Sequence, residues 1–156
     1  MKNIGLIILI LFLYNCGYSS IYKNQKLQNF QIKIIKTEGN NTMNNLIKNQ
    51  IRLYSNKDAP DIYNVQINTD YKKEILTKNS AGVITDYNLS VTSEFIIQFK
   101  DKTQIVQFDE NINITNQEDS FEQSAYEKNI MRNFASSLRE KLISSIREKL
   151  ISEMLN

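Results

Sequence analysis

Between Ile62 and Ile114 apolar and polar residues alternate, and this period of two constrains the fold more than any other feature of the sequence. Successive side chains of a strand point to opposite faces, so such alternation marks strands with one face buried and the other wet. Tyr63, Val65 and Ile67 alternate with Asn64, Gln66 and Asn68, and the pattern runs on to Tyr71. Thr77 to Gly82 reads as a hairpin loop. From Val83 to Lys100 a longer strand places Tyr87, Leu89, Val91, Ser93, Phe95 and Ile97 on one face. Asp101-Lys102 turns the chain back, and Thr103 to Ile114 forms the next strand. Strands joined by such short turns pair antiparallel.

Helical periodicity flanks this block. Phe30 to Ile34 alternates as a first strand, and Gly39-Asn40-Asn41 breaks it and supplies an N-cap. Met43, Leu46, Ile47, Ile51 and Tyr54 then recur on one face of a helix that Ser55 to Pro60 ends. After a loop from Asn116 to Asp119, Ser120 and Gln123 have the spacing of a capping box. The closing helix carries Met131, Phe134, Ala135, Leu138, Leu142 and Ile146 as its stripe. Arg139–Ile146 is nearly repeated as Arg147–Met154. Eight residues rotate a helix by about 80° beyond two turns, so the second copy's apolar residues leave the stripe. A helix from Phe121 to Asn156 would be roughly 54 Å long, whereas a strand of about ten residues covers only some 33 Å. Residues after about Ile146 are therefore expected to overhang the sheet. The element order is strand, helix, three antiparallel strands, helix.

The N-terminus sets the compartment. Lys2 precedes an apolar run from Ile4 to Leu13, followed by Cys16, the only cysteine. About ten apolar residues span roughly 15 Å as a helix, half of a hydrocarbon core of about 30 Å, so a signal peptide fits better than a membrane span. A lone Cys closing such a run resembles a bacterial lipobox, in which the thiol takes a diacylglycerol, and Gly17 after it suits sorting to the outer membrane. The expected organisation is a lipoprotein signal peptide over residues 1–15, a polar lipidated tether over 16–29 and a single domain over 30–156.

Composition removes whole classes of chemistry. The chain has no His, one Cys and four Gly. Histidine-dependent triads, zinc sites and disulfide frameworks lack their residues, and no two glycines fall at the spacing of a phosphate-cradling loop. No catalytic set, metal or cofactor is expected, and no nucleic acid as partner. Charge is uneven: residues 17–57 carry seven basic and one acidic residue, and residues 101–127 seven acidic and one basic. The two blocks either neighbour each other in the fold or leave a basic face for an anionic ligand or membrane surface.

With these elements placed, four stretches resemble the LPS-assembly lipoprotein LptE (rare lipoprotein B) family. They are Cys16-Gly17-Tyr18, the helical segment Leu46 to Leu53, Thr85-Asp86-Tyr87-Asn88-Leu89 after a Gly-containing hairpin, and the last helix with Arg132, Leu138 and Lys141-Leu142. The resemblance implies an α+β two-layer sandwich, with a mainly antiparallel four-stranded sheet and two helices packed on one face. It implies an outer-membrane lipoprotein, anchored at Cys16 and facing the periplasm. Such a protein sits in the lumen of the LptD barrel as plug and assembly factor and contacts lipopolysaccharide in transit.

Lys78 at the hairpin, with Lys72 and Lys73 flanking it, are the residues that resemblance offers to a lipid A phosphate. Lysine would meet it as a point charge. Loop lysines are also commonly just solvated. Arg52 is read as ending its helix against the dipole, and Tyr63, Tyr71 and Tyr87 as core or interface. Two other functions remain open at this stage. One is a lipoprotein that binds a different envelope protein and plays no part in lipopolysaccharide transport. The other is a hydrolase using carboxylates such as Asp109-Glu110, although neighbours on a strand point to opposite faces and cannot share a substrate.

Overall fold

The structure, a computed structural model, describes residues 30–154, with side chains for 30–149. The signal peptide, the tether and Cys16 lie outside the described residues.

The elements follow the order read from the sequence. They are β1 (Phe30–Gly39), α1 (Asn41–Tyr54), β2 (Asp61–Lys78), β3 (Ile84–Phe99), β4 (Lys102–Thr115) and α2 (Ser120–Met154). The strands form one sheet in the order β1-β2-β3-β4. β2, β3 and β4 pair antiparallel. β1 pairs parallel with β2, because a helix between two strands carries the chain back to the end where it started. The sheet is thus mixed but mainly antiparallel, and the fold is α+β.

The inner face of the sheet meets both helices in one core. Tyr63, Val65 and Ile67 of β2, Leu89, Val91, Phe95 and Ile97 of β3, and Ile114 of β4 are buried there. Met43, Ile47 and Ile51 descend from α1, and Phe134, Ala135, Leu138, Leu142 and Ile146 from α2. Each large apolar side chain so buried contributes about 1.5–3 kcal/mol. At one end Tyr63 stacks on Phe99 with ring centroids 4.3 Å apart and meets the edge of Phe30 at 5.6 Å. The opposite face carries no helix and is mostly polar.

The β1–α1 junction is held by a polar network. Asn40 caps α1 by accepting from the Met43 N–H at 3.0 Å. The buried Asn44 donates its amide to the Glu38 carbonyl at 2.7 Å and accepts from the Thr69 hydroxyl at 3.1 Å. Asn44 shares a helix face with Ile47 and Ile51, so its burial is a property of the stripe that apolar spacing alone overlooks.

Two details of α2 differ from expectation. The cap is Asp119, not Ser120: its Oδ1 accepts from the N–H groups of Phe121 and Glu122 at 2.8 and 2.9 Å. Gln123 accordingly reaches back to the Gln117 N–H at 2.7 Å. A carboxylate binds helix-start N–H groups more strongly than a hydroxyl does. The length comparison behind the overhang also changes, since β2 has 18 residues and β3 has 16. At about 3.3 Å per residue these match the roughly 52 Å of α2. Ile146 is nonetheless the last buried side chain among the described residues; Arg147 and Glu148 are exposed. Near there Ser145, Glu148 and Lys149 share a groove with Thr103 and Gln104 at the start of β4, so the helix has reached the end of the sheet. Deleting Arg147 to Asn156 is therefore expected to move the melting temperature by less than about 4 °C, the shift that roughly 1 kcal/mol makes in a domain of this size. A collapse of the folded signal on that deletion would place the second repeat in the core.

Candidate functional site

The hairpin between β2 and β3 reaches past the end of β4: Asp86 pairs with Thr115, the last residue of that strand, while β2 continues to Lys78 opposite Ile84. The loop is short. Asn79 folds it by accepting at Oδ1 from the N–H groups of Ala81 and Val83, both at 3.0 Å. Gly82 takes a φ of 81° there. Lys78, read from the sequence as loop, is the last strand residue and exposed.

The three candidate lysines do not converge. Lys72 and Lys73 are consecutive on a strand and leave it on opposite faces. Lys72 is exposed and bonds Asp70 at 2.8 Å; the hydrogen bond and charge of Asp70 hold its ammonium above the usual lysine range. Lys73 turns toward the helices, pairs with Glu127 and lies 4.0 Å above the Tyr87 ring. Lys78 makes no ion pair among the described residues. It is therefore the cation of the three left available to an external anion. Around it Ile75, Leu76 and Val83 are exposed at 51%, 46% and 57%, so the tip presents apolar surface beside an uncompensated charge.

A feature the sequence reading missed lies at the root of the hairpin. The Asp86 carboxylate accepts from the hydroxyls of Thr77 and, at 3.3 Å, Thr115. Hydrogen bonds from Thr77, Thr85 and Thr115 hold it below the usual carboxylate range against the opposing effect of burial. Register shifts between Ile75 and Lys78 bring Thr77 opposite Asp86, and irregular pairing of this kind leaves no periodic signal.

The remaining candidates sort as follows. Tyr63 is buried, and Tyr71 and Tyr87 pack half-buried against the core. Burial, then the nearby Glu127 charge, raises the Tyr71 hydroxyl above its ordinary value. Arg52 lies exposed in the last turn of α1. Asp109 and Glu110 are split across the sheet. Asp109 accepts from the Thr92 hydroxyl at 2.6 Å on the helix-free face, and Glu110 meets Lys141 at 2.7 Å and Ser137 on the helix face. Burial pushes the Glu110 carboxyl up, but Lys141 and Ser137 outweigh it and hold it below its ordinary value. Its contribution to stability is thus present above the unfolded carboxylate range and lost as pH falls through the lowered folded value. Glu110→Gln is expected to lower stability by about 1 kcal/mol at neutral pH and by nothing measurable once both proteins are in acid. Denaturant titrations separated by the same amount at both pH values would contradict the charged pairing.

The charge blocks do not adjoin in the sheet, because β2 and β3 separate β1 from β4. The basic one borders a groove between β1 and α1, where Lys48, Arg52 and Lys57 surround Ile32, Ile34 and Ile51.

No protein-family profile and no curated protein matches the sequence. Solved structures do match the fold. Rare lipoprotein B from Shewanella oneidensis superposes with a TM-score of 0.60 over 80% of this chain and 98% of that one, at 13% identity. A Caulobacter crescentus protein described as a lipoprotein superposes with a TM-score of 0.56 over 78% of this chain and 91% of that one, at 9% identity. At such identities the likeness establishes a shared fold.

Proposed function

We propose that this chain is an outer-membrane lipoprotein of the LptE type, anchored through Cys16, that partners an LptD-type barrel in carrying lipopolysaccharide to the outer leaflet. The observation that carries this reading is the fold shared with rare lipoprotein B over nearly all of that protein's length. It coincides with the four ordered sequence stretches that resemble the same family.

The geometry suits the role without catalysis. A helix-free sheet face rich in Asn, Gln, Ser and Thr is compatible with a wet barrel lumen. The hairpin tip offers Lys78 to a phosphate and Ile75, Leu76 and Val83 to acyl chains. A tether of 14 residues, 16–29, would reach up to about 46 Å from the lipid surface when extended. Lys78→Glu is expected to weaken lipopolysaccharide binding at low salt, where attraction is least screened. The melting temperature should not change, because an exposed charge contributes little to stability. Equal binding by both proteins would return Lys78 to the solvated surface.

The function itself is tested by depleting the chain in its host and measuring surface-exposed lipopolysaccharide. The expected result is loss from the surface with accumulation further inside the envelope. Normal display after depletion would leave the fold without this function.

A further inference from the structure

The basic block read from the sequence takes no part in the proposed function. Residues 31–57 carry five basic side chains and one acidic, Glu38, and Glu38 is taken by Lys36 at 2.6 Å. Lys33, Lys48, Arg52 and Lys57 make no ion pair among the described residues. Of these, Lys48, Arg52 and Lys57 form the rim of the groove between β1 and α1, over a floor of Ile32, Ile34 and Ile51. Asp58 and Asp61 follow in the sequence but do not line it. Apolar side chains stand in water next to groove residues. Ile35 follows Ile34 at the β1 bulge and Leu53 follows Arg52 in α1, exposed at 46% and 73%. Cations flanked by apolar side chains suit a face that lies in a membrane interface.

The position of the groove says what covers it. Phe30 begins β1 and Gln31 lines the groove, so the tether over 16–29 ends at its edge. A flexible chain of 14 residues has an end-to-end distance of about 20 Å. A lipid on Cys16 therefore keeps the groove within reach of the leaflet that the lipid enters. Three basic residues attract an anionic lipid surface only modestly on their own. The tether turns that attraction into a contact made at high effective concentration. The hairpin is remote from this end. Ile32 pairs with Tyr63 near the start of β2, and Lys78 is the last residue of that strand, roughly 50 Å away.

We propose that the β1–α1 groove and its basic rim dock on the anionic phospholipid headgroups of the leaflet that holds the anchor, which rests on lipidation at Cys16 and goes beyond contact with lipopolysaccharide at the hairpin. Other occupants fit less well. An added strand is blocked at Ile32, whose N–H donates to the Ser55 hydroxyl at 2.8 Å and whose carbonyl accepts from it at 3.3 Å. The tether carries Lys23 and Lys26 and no acidic residue, so it is repelled by the rim and drawn to the same surface. A second copy would present the same cations. The C-terminal end of α1 opposes an anion, but with only about half an elementary charge against three on the rim.

The test places the full-length chain on nanodiscs of phosphatidylcholine, with or without phosphatidylglycerol, that contain a lipid spin-labelled at its headgroup. Broadening of the amide signals reports which residues lie at the surface. With phosphatidylglycerol the signals of Ile34 to Lys36 and of Arg52 to Lys57 are expected to broaden, and with phosphatidylcholine alone they should stay sharp. Salt at about 1 M, where the Debye length is about 3 Å, should reverse the effect. Arg52→Gln and Lys57→Gln, both at exposed positions, should keep the melting temperature and lower the docked-to-free ratio by about fivefold each. Retention on the phosphatidylcholine discs reports the anchor separately. A chain that washes off contradicts the lipidation and removes the docking with it, whereas an anchored chain whose groove signals stay sharp overturns the docking alone. Broadening centred on residues 75–83, broadening that survives both charge removals, or broadening only when lipopolysaccharide replaces phosphatidylglycerol would each overturn it as well.

Discussion

Gly39→Ala is expected to destabilise the domain by more than about 3 kcal/mol, a fall in melting temperature of roughly 6–12 °C. Gly39 closes β1 at a φ of 81°, where a Cβ would lie 1.9 Å from the Thr69 carbonyl oxygen. The left-handed conformation alone costs roughly 1–2 kcal/mol for a residue with a side chain. The clash is with backbone, and the same carbonyl accepts the Asn40 N–H at 2.9 Å. Moving Thr69 away would break that bond, and with it the contact of its hydroxyl with Asn44. Gly82→Ala is the matched control. It has the same φ of 81°, but nothing lies within 4 Å of its Cβ, so only the same conformational cost of roughly 1–2 kcal/mol applies. Thermal melts of the two variants measure the difference, and equal losses would contradict the close approach at Thr69.

Cys16→Ala is expected to empty the outer-membrane fraction of the chain. Among the described residues no helix is long and apolar enough to cross a membrane. In the proposed lipoprotein the anchor is covalent lipid, and a diacylglycerol gives the two chains that stable attachment takes, where one chain holds only marginally. Intact mass of the wild-type protein should show a chain beginning at acylated Cys16. A protein retaining residues 1–15, without acyl mass, would refute the lipidation, as would unchanged fractionation of the variant.

Much of this architecture was legible in the alternation of β3, where the inward set from Leu89 to Ile97 is the set the structure buries. What escaped the sequence is what periodicity does not encode. The parallel pairing of β1 is a consequence of the α1 crossover, not of any residue in β1. The full length of β2 was hidden because its hairpin end is exposed on both faces, so residues 72–78 show no inner stripe, whereas β3 was read at essentially its full length. The lysines looked like one cluster because proximity in sequence was taken for proximity in space. Alternation sends Lys72 and Lys73 apart, and Asp70 and Glu127, one of them 54 residues distant from Lys73, neutralise them. Gly39 was read correctly as a break, but the carbonyl that forbids any other residue there comes from position 69, on another strand.

The partnership with a barrel is the centre of the functional reading, and co-purification tests it most directly. The native lipidated chain is isolated from outer membranes and its companions are identified by mass spectrometry. The expected result is a large LptD-type barrel protein recovered in near-equal amount. Recovery of the chain alone, or with a different envelope protein and no barrel, would contradict it.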